Sequence, residues 1–242
     1  MKLNTVALLD RYYASELGCD SEMLNNGQLH VVEYELVREI RFAKGTPLAL
    51  FSIGKKTGTV ISVIPCLKET VSQSIIGKTT LDDTTCDVVE SSLAPLVRAR
   101  MWFRGCRLYC DQASFIDFRA GEVRDVTEDD EMASLIHEKW GGRVFGRITD
   151  GKVVSWAGVK PLSELAWDIS IQTLPEYRGL GCAKSVACAA VRHIFDHGKI
   201  ATWGTDRTNI ASICTAHSVG FQDYGLDFGC VADADCNPFI CR

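Results

Sequence analysis

The run from Leu165 to His197 restricts the fold of this chain more than any other stretch. A strand-like segment, Leu165 to Leu174, stops at Pro175, and a turn follows, Tyr177-Arg178-Gly179-Leu180-Gly181-Cys182-Ala183. Beyond it Ala183, Val186, Ala187, Ala190, Val191, Ile194 and Phe195 recur at helical spacing, so a long helix buries one face and ends at His197-Gly198. A strand that enters a helix through two glycines forms an anion site. The first amides of the helix lack intrahelical partners, and the helix dipole adds positive charge at the same end. Gly179 and Gly181 permit positive φ and close backbone approach, and the small Ala183 lets the helix sit against a sheet.

The neighbouring segments extend this α/β pattern. Asp130 lies three residues beyond Thr127, and the two form a capping pair for a helix with Met132, Leu135, Ile136 and Trp140 on its face. Val144 to Thr149 and Lys152 to Val159 flank Asp150-Gly151, a two-residue hairpin signal. A short strand, Ile200 to Gly204, and a helix from Asn209 to Val219 complete the second half, with Gly220 as cap. The first half opens on a helix capped by Asn4, with Val6, Leu9, Tyr13 and Leu17 on one face and Gly18 at its end. Strands are expected at Leu29 to Tyr34, Leu48 to Ile53, Thr59 to Ile64 and Met101 to Tyr109, the middle two forming a hairpin. Helices are expected at Leu67 to Ile76 and Asp87 to Arg98, with Thr79 to Asp87 as a long loop.

Composition narrows the ligand class. A net charge of −5 gives no general attraction to nucleic acid or anionic membrane, so an anionic ligand needs a local site of backbone amides. No uncharged apolar run approaches the length of a membrane span, and charges at Lys2, Asp10 and Arg11 argue against a signal peptide. A cytoplasmic, soluble protein without a membrane partner is expected. The 11 cysteines include no Cys-x-x-Cys pair, and the tail set Cys230, Cys236 and Cys241 lacks histidine support. They read as reduced thiols, with no metal site.

The diphosphate is not read as a dinucleotide or a triphosphate. Gly179-x-Gly181-x-Ala183 is one residue short of the dinucleotide fingerprint, and Gly77-Lys78-Thr79 has Ser72 where a Walker loop needs its first glycine. The run from Asp168 to Ala183 resembles instead the acetyl-CoA-binding segment of GNAT acetyltransferases. Their signature of Arg or Gln, two residues, Gly, one residue, then Gly or Ala is met by Arg178, Gly181 and Ala183. Trp203, Asn209, Ser212 and Gly220-Phe221 resemble the next segment of that superfamily, and the element order from Val123 to Cys230 is similar throughout. The opening, from Tyr12 to Pro65, more loosely resembles an N-terminal extension found in a subgroup.

The resemblance implies an α/β (α+β) GNAT fold, with a mixed, largely antiparallel sheet flanked by helices and an N-terminal α/β extension. Residues 1–119 would form the extension, a degenerate half-domain shaping the acceptor site, and 120–242 the acetyltransferase domain. The resemblance further implies acetyl-CoA as acetyl donor. Its pantetheine arm would pair with Ile171, Gln172 and Thr173, and its pyrophosphate would sit on Arg178, Gly179, Leu180, Gly181, Cys182, Ala183 and Lys184. Asn209 and Ser212 would touch the lower arm.

An amine acceptor, a small molecule or a peptide, would attack the thioester directly. It needs a base, because alkyl amines are protonated at neutral pH. Asp168 is the first candidate and Glu164 the second. Strand alternation places Asp168, Ser170 and Gln172 on one face. The family's usual tyrosine acid is replaced by Ala216. That replacement keeps a second reading open, a non-catalytic domain that senses acetyl-CoA or CoA; an acyltransferase for longer acyl-CoA is a third. His193 and His197 read as solvent-facing or capping residues, and Trp156, Trp167 and Trp203 as packing residues.

Overall fold

A computed structural model describes residues 4–35 and 47–232. In chain order the elements are α1 (Thr5–Leu17), β1 (Leu29–Glu33), β2 (Leu48–Lys55), β3 (Gly58–Val63), α2 (Lys68–Ser74) and α3 (Asp83–Leu93). There follow β4 (Ala99–Cys110), β5 (Glu122–Asp125), α4 (Glu131–Trp140), β6 (Val144–Thr149), β7 (Lys152–Lys160) and β8 (Ala166–Thr173). The chain continues through α5 (Cys182–Asp196), β9 (Ile200–Asp206), α6 (Ile210–Ser218) and β10 (Gln222–Ala232). It divides into two compact units, Met1–Cys106 with Tyr224–Arg242, and Arg107–Asp223. Sequence reasoning set the division at 119/120 and kept the tail with the second half; Cys236 and Cys241 lie outside the described residues.

In the first unit the strand order is β1-β3-β2-β10-β4. The β2–β3 hairpin is antiparallel, β1 runs parallel to β3, and β10 pairs antiparallel with β2 from Leu226↔Gly54 onward. Every residue of β3 is buried, as is β2 up to Gly54. Helix α1 forms as its sequence requires: Asn4 accepts the Val6 amide, and Gly18 closes the helix at φ 65°. Helix α3 begins earlier than expected. Asp82 accepts the Thr85 amide at 2.7 Å and starts the helix inside the segment that sequence alone leaves as loop. A buried polar group ties the last strand down: Asp10 accepts from Lys55 at 2.5 Å, from Tyr224 at 2.7 Å and from Asn25 at 2.9 Å.

In the second unit the order is β9-β8-β7-β6-β5, antiparallel except for the parallel β8–β9 pair. Asp150 (φ 51°) and Gly151 (φ 74°) make the β6–β7 turn with both central residues left-handed. Helix α5 covers the sheet face that carries Trp167, whose ring meets those of His193 and His197. Helix α4 covers the other face, where a Cβ on Gly158 would meet Ile136.

The phase of α4 departs from the sequence expectation. Asp130, not Thr127, is its N-cap, and one Asp130 oxygen accepts both the Ala133 amide (3.0 Å) and the Trp156 indole N–H (2.8 Å). That anchor turns Ala133 and Ile136 onto Val126, Val144 and Trp156. Met132 and Leu135 are left exposed at 41% and 55%. Thr127 instead accepts the Val144 amide at the start of β6.

Candidate functional site

The second unit opens where its two parallel strands part. The β8–β9 ladder joins Ala166–Asp168 to Ile200–Thr202, and β8 then runs on to Thr173 and β9 to Asp206 beyond it. A cavity of about 550 Å³ fills the gap, lined by Ile171, Gln172 and Thr173 on one side and Trp203 on the other. The turn after β8 closes one end and α6 borders the rest.

The turn is shaped by its glycines. Gly179 and Gly181 both sit at φ 77°, a region costly to any residue with a Cβ, and the Arg178 guanidinium donates back to the Thr173 carbonyl at 3.3 Å. Helices α1, α3, α4 and α6 all begin on an Asn or Asp whose side chain accepts a first-turn amide. Helix α5 begins on Gly181 with no side-chain cap. Its first amides are thus available at the cavity, together with the positive end of a 15-residue helix. A diphosphate has the negative charge and acceptor oxygens that suit such a cradle.

Of the cofactor residues expected from sequence, all except Leu180 line this cavity. The Leu180 side chain is 68% exposed and turns outward. Two others also have local structural work. Asn209 caps α6 by accepting the Ser212 amide, and the Ser212 hydroxyl accepts the Trp203 indole N–H at 3.0 Å. Trp203, read from sequence as packing, is 4% exposed, stands edge-on to Phe221 and also borders the cavity. Tyr177, Thr215 and Ser218 add hydroxyl groups to the lining.

The two carboxylates singled out as bases lie elsewhere. Asp168 is at the last rung before the strands part, 4% exposed, with Lys160 Nζ and Thr202 Oγ1 each 3.3 Å from its oxygens. The Lys160 ammonium also lies over the Trp140 ring, 4.7 Å from its centre. Glu164 precedes β8 at the end away from the cavity, where its exposed carboxylate meets Lys199 at 3.1 Å. Ala216, where a tyrosine was sought, is fully buried. The nine cysteines among the described residues are free thiols. Burial pushes the Cys110 thiol up to about 11 and also raises Cys188.

Residues 139–225, which hold the parted strands, the glycine turn and α6, match the family model for GNAT acetyltransferase. This segment, about a third of the chain, is similar to the GNAT acetyltransferases. No curated protein sequence matches the chain. Among solved structures, a GNAT-family protein from Novosphingobium aromaticivorans is 21% identical with a TM-score of 0.49, over 56% of this chain and 66% of that one. A GCN5-related N-acetyltransferase from Kribbella flavida is 16% identical with a TM-score of 0.46, over 59% of this chain and 62% of its own. An acetyltransferase of the GNAT family from Colwellia psychrerythraea is 12% identical with a TM-score of 0.48, over 93% of this chain and 97% of its own. The chain spans about two thirds of the first two proteins.

Sequence reasoning missed one aromatic neighbour of the glycine turn. Phe118 belongs to the segment between β4 and β5, and its ring lies 3.5 Å from where a Cβ on Gly181 would stand. No periodic pattern surrounds it, so only the folded chain reveals the contact. Among the described residues no helix is long and apolar enough to cross a membrane.

Proposed function

We propose that this chain transfers an acetyl group from acetyl-CoA to a primary amine by direct attack. The observation that carries this reading is the uncapped start of α5, opening into the cavity between the parted ends of β8 and β9. The amides from Gly181 onward would hold the diphosphate, with Arg178 and Lys184 at its side, and Ile171 to Thr173 would pair with the pantetheine arm. Backbone donors of β8 near the closed end of the gap would polarise the thioester carbonyl and stabilise the oxyanion that attack creates. Asp168, at the last rung before the strands part, is the carboxylate assigned to take the amine proton. The departing thiolate needs no tyrosine, since its conjugate acid is only moderately weak.

A second reading, a CoA-binding domain without turnover, is favoured by two observations. The Asp168 carboxylate is buried against Lys160, and Ala216 offers no proton. Calorimetric titration with acetyl-CoA, CoA and NAD, followed by thiol-release assays with amine acceptors, separates the two. Saturable acetyl-CoA binding with acceptor-dependent release supports the transferase. Binding without release supports the sensor, and preference for NAD would overturn both.

A further inference from the structure

We propose that Phe118 is a positioning residue for the diphosphate site, its ring holding the Lys184 ammonium at the mouth of the cavity. The proposal rests on the CoA-binding reading above and assigns that site a residue from a distant part of the chain.

The loop between β4 and β5 is held against α5 and the end of α6 by contacts at four successive positions. Phe115 packs edge-on against Phe195, with ring centres 5.5 Å apart. The Ile116 amide donates to the Val219 carbonyl at 2.9 Å, and Asp117 pairs with Arg192. The Cys188 thiol sits between two backbone groups, accepting the Phe118 amide at 3.2 Å and facing the Ile116 carbonyl at 3.5 Å. These contacts fix the Phe118 backbone beside α5. The ring then meets Gly181 on one side, and Lys184 Nζ lies 4.6 Å from its centre.

Lys184 lines the cavity three residues after Gly181, on the turn whose amides face the same space. A lysine has four rotatable side-chain bonds, and binding a phosphate normally freezes them at an entropic cost. An aromatic face that already attracts the ammonium removes part of that cost before the ligand arrives. Phe118 therefore acts on the phosphate only through Lys184, and it touches no reacting atom.

The test compares CoA dissociation constants, measured by calorimetry, for wild type, Phe118→Leu, Phe118→Tyr, Lys184→Met and the Phe118→Leu/Lys184→Met double variant. Phe118→Leu is expected to weaken CoA about fivefold and Phe118→Tyr to restore it. Lys184→Met is expected to weaken CoA about tenfold, and Phe118→Leu to add nothing in that background. Acetyl-pantetheine, which lacks the diphosphate, should show the same dissociation constant with every variant. Equal losses from Phe118→Leu with and without Lys184, or an equal loss of acetyl-pantetheine, would mean that Phe118 only supports the fold. If Phe118→Leu does not fold, full CoA affinity in Lys184→Met overturns the proposal by itself. Wild-type protein that fails to bind CoA overturns the functional reading first and this proposal with it.

Discussion

Asp168 and Thr202 form the last rung of the β8–β9 ladder, and the Thr202 hydroxyl lies 3.3 Å from the Asp168 carboxylate. On the other side Lys160 holds the second oxygen at the same distance. The strands part immediately beyond this pair, and on β8 the cavity lining begins at Ile171. Asp168→Asn is expected to leave CoA affinity within about twofold and to lower turnover at neutral pH about 100-fold. A variant that turns over like wild type would remove Asp168 from proton transfer. Lys160→Met should strand the carboxylate in the interior and cost about 3 kcal/mol in urea denaturation, more than Asp168→Asn.

Gly181→Trp should abolish CoA binding, because Gly181 has φ 77° and its Cβ direction faces the Phe118 ring, so an indole there would displace the turn that presents the α5 amides. Gly198→Ala is the control. Gly198 has φ 69° with open space around it at the far end of α5, so alanine there should cost about 1 kcal/mol of stability and leave CoA affinity unchanged. Calorimetry on both variants decides whether the loop or the helix as a whole carries the affinity.

Gly220→Ala should be far worse for stability than Gly77→Ala. Gly220 has φ 95°, and a Cβ there would stand 2.0 Å from the Ser114 carbonyl oxygen, a backbone atom with no room to yield. Gly77 has φ 80° but nothing within 4 Å. A loss of about 3 kcal/mol is expected at Gly220 and about 1 kcal/mol at Gly77, read from denaturation midpoints at constant slope.

His193 should make the protein less stable in mild acid. Burial is the main cause holding its protonation below the usual 6.5, and the charges of His197 and Arg143 act the same way against Asp196 and Asp125. The unfolded chain therefore binds a proton at a pH where the folded chain does not. This contribution is fully present above about pH 6.5 and is lost as pH falls through and below that value. His193→Gln should flatten the pH dependence of the thermal midpoint between about pH 5 and 7. An unchanged slope would assign the acid sensitivity to other groups.

Much of the candidate site was legible because it is local. The two glycines, the strand before them and the apolar stripe of α5 lie within one continuous run, and the backbone conformations and amide directions follow from residue types a few positions apart. The same holds for Asn4 and Gly18 at the ends of α1 and for Asp150-Gly151 in its hairpin. Where sequence reasoning erred, a distant partner had changed the answer. The apolar residues of α4 fit two neighbouring helical phases, and the Trp156 indole, 26 positions from Asp130, selects the one that buries Ala133.

The sequence by itself therefore determined the order of elements, the turn at Gly179 to Gly181 and the unpartnered amides at the start of α5, since these depend on φ preferences and spacing. The tertiary structure alone decided that Asp168 meets Lys160 and Thr202, that Glu164 stands at the outer end of β8, and that Phe118 reaches Lys184. Such contacts depend on strand register and on where a loop without periodicity is held, and both are fixed by packing between segments far apart in the chain.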